Sequence, residues 1–201
     1  MTATEIGKLF NKTSRQMNDI FQELHWIERD TNGWKPTELG RQNGAIQNNY
    51  KGSLSVHWNE NIKNNHLLKK LIEPQENDNK EEKAFREKFP ATHRTKDGHF
   101  VRSKAEMIID DWLYSENIAH AYEKMLPVEE DVYSDFYIPQ GKMYIEFWGL
   151  ENDAKYNARK EKKRQIYKTH NLNLIELTDK EISNLDDILP KMMIKYGIKM
   201  H

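Results

Sequence analysis

Two short runs constrain this chain more than anything else in it. YSDFYI at 133–138 and MYIEFW at 143–148 are aromatic and β-branched, and they are closed off by Pro139 and Gly149. Runs of this length and composition predict strands, and the turn Pro139-Gln140-Gly141 between them predicts a hairpin. Each strand carries one carboxylate inside otherwise bulky surroundings, Asp135 on the first and Glu146 on the second. An edge-strand charge facing solvent is the plain alternative, but an unpaired carboxylate among large apolar residues is costly. Brought to neighbouring strands of one sheet, the pair predicts a site for a divalent metal ion.

The flanking sequence completes an αβββαβ order. Ala105, Ile108, Ile109, Trp112 and Leu113 recur at helical spacing, and Ala121 to Leu126 reads as a strand. After the hairpin comes a basic helix, Asp153 to His170, then an apolar strand, Leu172 to Leu177, and a last helix opened by Thr178 and ending near Gly197. Helices against a mixed sheet give an α/β class. The overall net charge of -1 hides a local excess: residues 153–170 hold seven cations and two anions, a net of +5. Local charge of that kind favours a nucleic-acid partner.

The N-terminal part reads differently. Residues 2–27 predict two short amphipathic helices, the first capped by Thr2 or Thr4 with Ile6, Leu9 and Phe10 inward. The second is capped by Thr13 or Ser14, with Met17, Ile20, Phe21 and Leu24 inward. Asn32-Gly33 then marks a hairpin turn between Trp26-Ile27 and Trp34-Lys35. A helix pair followed by a hairpin resembles a winged helix-turn-helix, and that resemblance implies DNA binding through the polar face of the second helix: Ser14, Arg15, Gln16, Asn18 and Asp19, with Arg15 and Gln16 as base readers. A module for protein contacts is the alternative. Leu54 to Trp58 predicts a strand, and a helix carrying Leu67, Leu68, Leu71 and Ile72 closes a first domain at residues 1–72. The polar stretch 73–97 reads as a linker with a helix at Lys80 to Lys88, and 98–201 forms the second domain.

With no cysteine in the chain, disulfides, thiolate zinc sites and cysteine nucleophiles are excluded, so any metal must be held by oxygen or imidazole. His99, His120 and His170 show no ligand spacing and are read as structural. The start lacks the apolar core of a signal peptide, and no run approaches the roughly 20 apolar residues of a membrane span. The expectation is a cytoplasmic protein with no membrane partner.

Phosphodiester hydrolysis needs a metal ion and a cation facing the charge that builds on the phosphate oxygens. Asp135 and Glu146 supply hard oxygen ligands suited to Mg2+, with Mn2+ as the alternative. Glu106, within SKAE, is placed to approach as a third carboxylate. A cation two residues after the glutamate would share its face of the strand, yet Trp148 stands there. Tyr156, Lys160, Lys163 and Tyr167 fall on one face of the basic helix, so a lysine from that face can reach the carboxylates, Lys163 first and Lys160 second.

The strings GHFVRSKAEMIIDDWLY, YSDFYIP and YIEFWGLEN, with the Tyr156 to Tyr167 helix, resemble the PD-(D/E)XK nuclease superfamily over about Gly98 to Gly197. The resemblance implies a restriction-endonuclease-like core, metal-dependent cleavage of DNA or, less often, RNA, and a site of Glu106, Asp135, Glu146 and Lys163. Two departures stand out: Trp148 at the usual lysine position, and Ser134 where a proline would precede the aspartate. The reading is a metal-dependent DNA endonuclease. Its alternatives are a non-catalytic DNA-binding regulator on a nuclease-like scaffold and a structure-selective or RNA-directed nuclease. Cutting both strands with one site per chain favours a homodimer.

Overall fold

The computed structural model describes residues 1–72, 89–149 and 154–198. The helix expected at Lys80 to Lys88 lies outside them. The chain divides into two compact units, Met1–Asn77 with Pro127–Glu129, and Asp78–Leu126 with Glu130–His201. Among the described residues no helix is long and apolar enough to cross a membrane.

The first unit opens with α1 (Ala3–Leu9) and α2 (Ser14–Glu23), each started by a threonine capping box, Thr2 with Glu5 and Thr13 with Gln16. Ile6, Met17, Phe21 and Leu24 are buried as their spacing predicts. Leu9 is not; it is 57% exposed, because α1 ends there and the capping residue Phe10 packs on the core instead. Beyond the helices, β1 (Ile27–Asp30), β2 (Gly33–Pro36), β3 (Ala45–Tyr50) and β4 (Ser53–Trp58) form one sheet in the order β1-β2-β4-β3. β1 and β2 pair as the hairpin expected here, but its loop is Thr31-Asn32, one residue earlier than the Asn32-Gly33 turn, and Gly33 is the first residue of β2, opposite Asp30. Gly33 also lets β2 approach β4, since a Cβ on it would stand 1.9 Å from the Leu54 carbonyl oxygen. The short α3 (Glu38–Gln42) and α4 (His66–Ile72) complete the unit. Its core gathers Phe21, Trp26 and Trp58, whose rings lie 4.3–6.2 Å apart.

The second unit is a mixed sheet in the order β10-β9-β8-β7, made by β7 (Ala121–Met125), β8 (Tyr133–Ile138), β9 (Met143–Phe147) and β10 (Asn173–Leu177). The first three run as an antiparallel meander, whereas β10 pairs with β9 in parallel. A small hairpin, β5 (His93–Arg94) and β6 (Phe100–Val101), leads into α5 (Lys104–Ser115), and α6 (Ala154–Thr169) connects β9 to β10. β5 lies within the stretch 73–97 that reads as a linker. On α5 the residues Ile109 and Leu113 are buried, while Ile108, one position round the helix, is 43% exposed. The last helix is two helices, α7 (Asp179–Ile182) and α8 (Leu185–Ile194): the Thr178 capping box starts the first, and the chain leaves helical geometry at Asn184. Ile109, Leu113, Phe136, Ile145, Leu177 and Leu189 form the heart of this core.

Candidate active site

The β8–β9 pairing runs Ile138↔Met143, Tyr137↔Tyr144, Phe136↔Ile145. Carried one residue further, the register sets Asp135 opposite Glu146, and side chains directly opposite each other in an antiparallel pair share a face. The parallel pairing then sets Glu176 of β10 beside Glu146. On the other side, Glu123 sits in β7 with a positive φ of 50°, at the one position skipped between the pairs Tyr122↔Phe136 and Lys124↔Ser134. The sheet therefore presents carboxylates at successive strands: Glu123, Asp135, Glu146 and Glu176.

α6 supplies most of the matching cations. Lys163 Nζ donates to Glu146 Oε2 at 2.7 Å, and the Tyr167 hydroxyl donates to Glu146 Oε1. Arg164 pairs with Glu176, which also accepts the Trp148 indole N–H at 2.7 Å. Tyr156, one end of the same face, donates to the Phe147 carbonyl. Lys160 sits 5.5 Å over the Trp148 ring, so of the two candidate lysines it is Lys163 that reaches a carboxylate. Trp148 is itself buried directly after β9, where Glu176 holds its indole N–H. Lys162, between them, is exposed.

Asp135 differs from its neighbours. Arg102 Nε meets Glu123 at 2.7 Å, and Glu146 and Glu176 have their cations, but among the described residues Asp135 has no ion pair. Its Oδ2 accepts the Phe147 backbone N–H at 2.7 Å. Burial raises its proton affinity, with Lys163 opposing that and the charge of Glu123 adding to it. Burial likewise pushes Glu146 up to about 8, although Lys163 pulls against it.

Glu106 is held at the N-terminus of α5. Ser103 caps the helix and donates to Glu106 Oε1 at 3.0 Å, while the Arg102 N–H and the Tyr122 hydroxyl donate to Oε2 at 2.9 and 2.7 Å. Burial raises its pKa first, and the charge of Asp135 second. The same environment raises the Tyr122 hydroxyl, through burial and then the Glu106 charge. Glu106 is thus electrostatically in touch with Asp135 while its oxygens close the helix cap.

On the first unit, Ser14, Arg15 and Gln16 are exposed at the start of α2, Asp19 is exposed and Asn18 half-buried. Gln16 has a task of its own, its Oε1 accepting the Thr13 N–H at 2.8 Å.

Sequence spacing does not reveal Glu123 or Glu176, because their places follow from the pairing of β7 with β8 and from a parallel register. Nor does it reveal a second cluster. His99 and His120, expected to be merely structural, come together with Asp97 and Asp110, one ligand atom of each lying within 4.8 Å of the others. No family model matches the chain, and no curated protein or solved structure matches it.

Proposed function

We propose that the second unit is a metal-dependent DNA endonuclease of the PD-(D/E)XK kind, with Lys163 as its cation, and that the first unit is a winged-helix-like module that holds DNA. The observation that carries this reading is the seating of Lys163 on Glu146 beside an Asp135 that, among the described residues, makes no ion pair. The donor set suits a divalent ion. The two carboxylates, both raised in proton affinity by burial, face one ammonium, so a divalent ion would displace their protons and supply the positive charge that this largely dehydrated place lacks, and all the available donors are hard oxygens. Asp135 and Glu146 would hold the ion, with Glu106 at the side. Bound there, Mg2+ or Mn2+ supplies charge neutralisation and an acidified water. Tyr167 fixes the rotamer of Glu146, the Phe147 N–H fixes Asp135, and the Lys163 ammonium is placed to face the phosphate oxygens as their charge grows. A buried pair of this kind favours an enzyme over a regulator whose carboxylates would be splayed to solvent.

Incubation of the chain with supercoiled plasmid is expected to give nicked or linear product with Mg2+ and none with EDTA. Asp135→Asn and Glu146→Gln should abolish cleavage. Lys163→Ala should slow it by about two to three orders of magnitude, the range for losing one stabiliser of transition-state charge, with substrate binding little changed. Lys162→Ala should cut normally. Full activity in the Lys163 and Asp135 variants would defeat the site assignment, and cleavage of a matched RNA but not of plasmid would move the substrate to RNA.

A further inference from the structure

The cluster of Asp97, His99, Asp110 and His120 is built from three separate pieces of the second unit. Asp97 and His99 lie in the loop between β5 and β6, Asp110 in the middle of α5, and His120 directly before β7. The His120 side chain is only 4% exposed and that of Asp110 0%. His120 Nδ1 lies 2.9 Å from the Ile118 carbonyl oxygen, which can only accept, so Nδ1 carries the hydrogen. In the neutral ring, Nε2 is then a lone pair. It is aimed at two carboxylates, 3.2 Å from Asp110 Oδ2 and 3.5 Å from Asp97 Oδ2, yet it makes no hydrogen bond, and Asp110 Oδ1 is buried without a partner as well. His99 Nδ1 faces the same two oxygens, at 3.1 Å each.

A lone pair turned towards two anions calls for a cation between them, either a proton on Nε2, which burial opposes and Asp110 favours, or a metal ion; the buried Asp110 Oδ1 left without a partner speaks for the metal ion. The remaining bonds orient the donors as metal ligands are usually oriented. Asp97 Oδ1 is taken by the Thr95 hydroxyl at 2.6 Å and the His99 N–H at 3.1 Å, which turns Oδ2 to the cluster, and the Ile118 carbonyl sets the His120 tautomer. Zinc bonds of about 2.0–2.2 Å to nitrogen and oxygen, at the tetrahedral angle, place donors roughly 3.3–3.6 Å apart. The four histidine-to-carboxylate contacts run from 3.1 to 3.5 Å, and all four donors lie within 4.8 Å of one another, so small side-chain shifts bring them to that spacing. Mixed imidazole and carboxylate donors fit zinc, whereas Mg2+ takes oxygen ligands in an octahedron.

We propose that Asp97, His99, Asp110 and His120 form a structural zinc site, closed by four protein ligands, that fastens the β5–β6 hairpin to α5 and to the start of β7. It stands independently of the cleavage reading, whose metal lies at other residues.

The test uses the full chain, stripped with EDTA, reloaded with zinc, passed through gel filtration and assayed for metal. About one zinc per chain is expected in the wild type and in Asp135→Asn, and none in His120→Ala or Asp110→Asn. Because those two variants put the fold at risk, the wild type loaded with Co2+ gives a second readout: strong visible absorption of a tetrahedral site is expected. A wild type that takes up no zinc, a weak octahedral cobalt spectrum, or zinc lost from Asp135→Asn and kept by His120→Ala would each overturn the proposal. In the first case His120 would be held as an imidazolium ion-paired with Asp110.

Discussion

Glu146 is the residue on which charge, burial and pH meet. Its carboxyl is surrounded by protein, and even with Lys163 at 2.7 Å its pKa lies at about 8. In the unfolded chain the same group titrates near the ordinary glutamate value of about 4.3. The folded chain therefore holds a proton that the unfolded chain has given up. Stability from this group is complete below the unfolded value and is lost as pH rises through about 8. The expected result in metal-free buffer is a melting temperature that falls between pH 5 and pH 8, with a shallower slope in Glu146→Gln. Parallel melting curves for the two chains across that range would show that the proton is not held there. Residues of this kind are only half-legible in sequence. That Asp135 and Glu146 would be neighbours follows from a short turn between two strands, but that among the described residues Asp135 makes no ion pair while Glu176 has Arg164 follows from a register that no spacing encodes.

At the scale of elements, local signals carried furthest where they were strong. The threonine caps and the inner face of α6 rest on positional chemistry that acts within a few residues, and each appears as read, while the β1–β2 hairpin forms with its loop one residue earlier than Asn32-Gly33. β3, with its sequence AIQNNY, carries too few β-formers to announce a strand and exists through its pairing with β4. The break between α7 and α8 was likewise hidden, because the apolar spacing runs on across it. The His/Asp cluster was invisible for a third reason: its ligands come from a loop, a helix and a strand start. A prediction at this scale concerns α3, which packs so tightly on the first unit that a Cβ at Gly40 would stand 1.9 Å from the Trp26 carbonyl oxygen. Backbone cannot be relieved by a rotamer change, so Gly40→Ala should destabilise the chain by about 1–3 kcal/mol or more, as overpacking does. Thermal melting of Gly40→Ala beside an exposed-site control such as Leu39→Ala reads this directly, and an unchanged midpoint would mean that α3 is free to shift.

For the molecule as a whole, the division into two units gives the proposed activities separate seats. Residues 1–72 carry ten cations and seven anions, a modest surplus, so affinity for DNA there must come from placement more than from bulk charge. Arg15→Ala is expected to weaken DNA binding in a gel-shift titration, and to relax sequence preference by about 1–3 kcal/mol if the lost contact was bidentate to a base. Binding equal to wild type would assign α2 to protein contacts. The parallel strand at the edge of the second sheet has a consequence for how the site comes into being. β7, β8 and β9 are joined by short connections and can pair early, whereas β10 reaches β9 only after residues 148–172 have closed as a crossover. The two carboxylates are therefore brought side by side while still wet, and the helix that removes their water arrives carrying Lys163. On that order of assembly, Glu146 meets Lys163 as it loses its water.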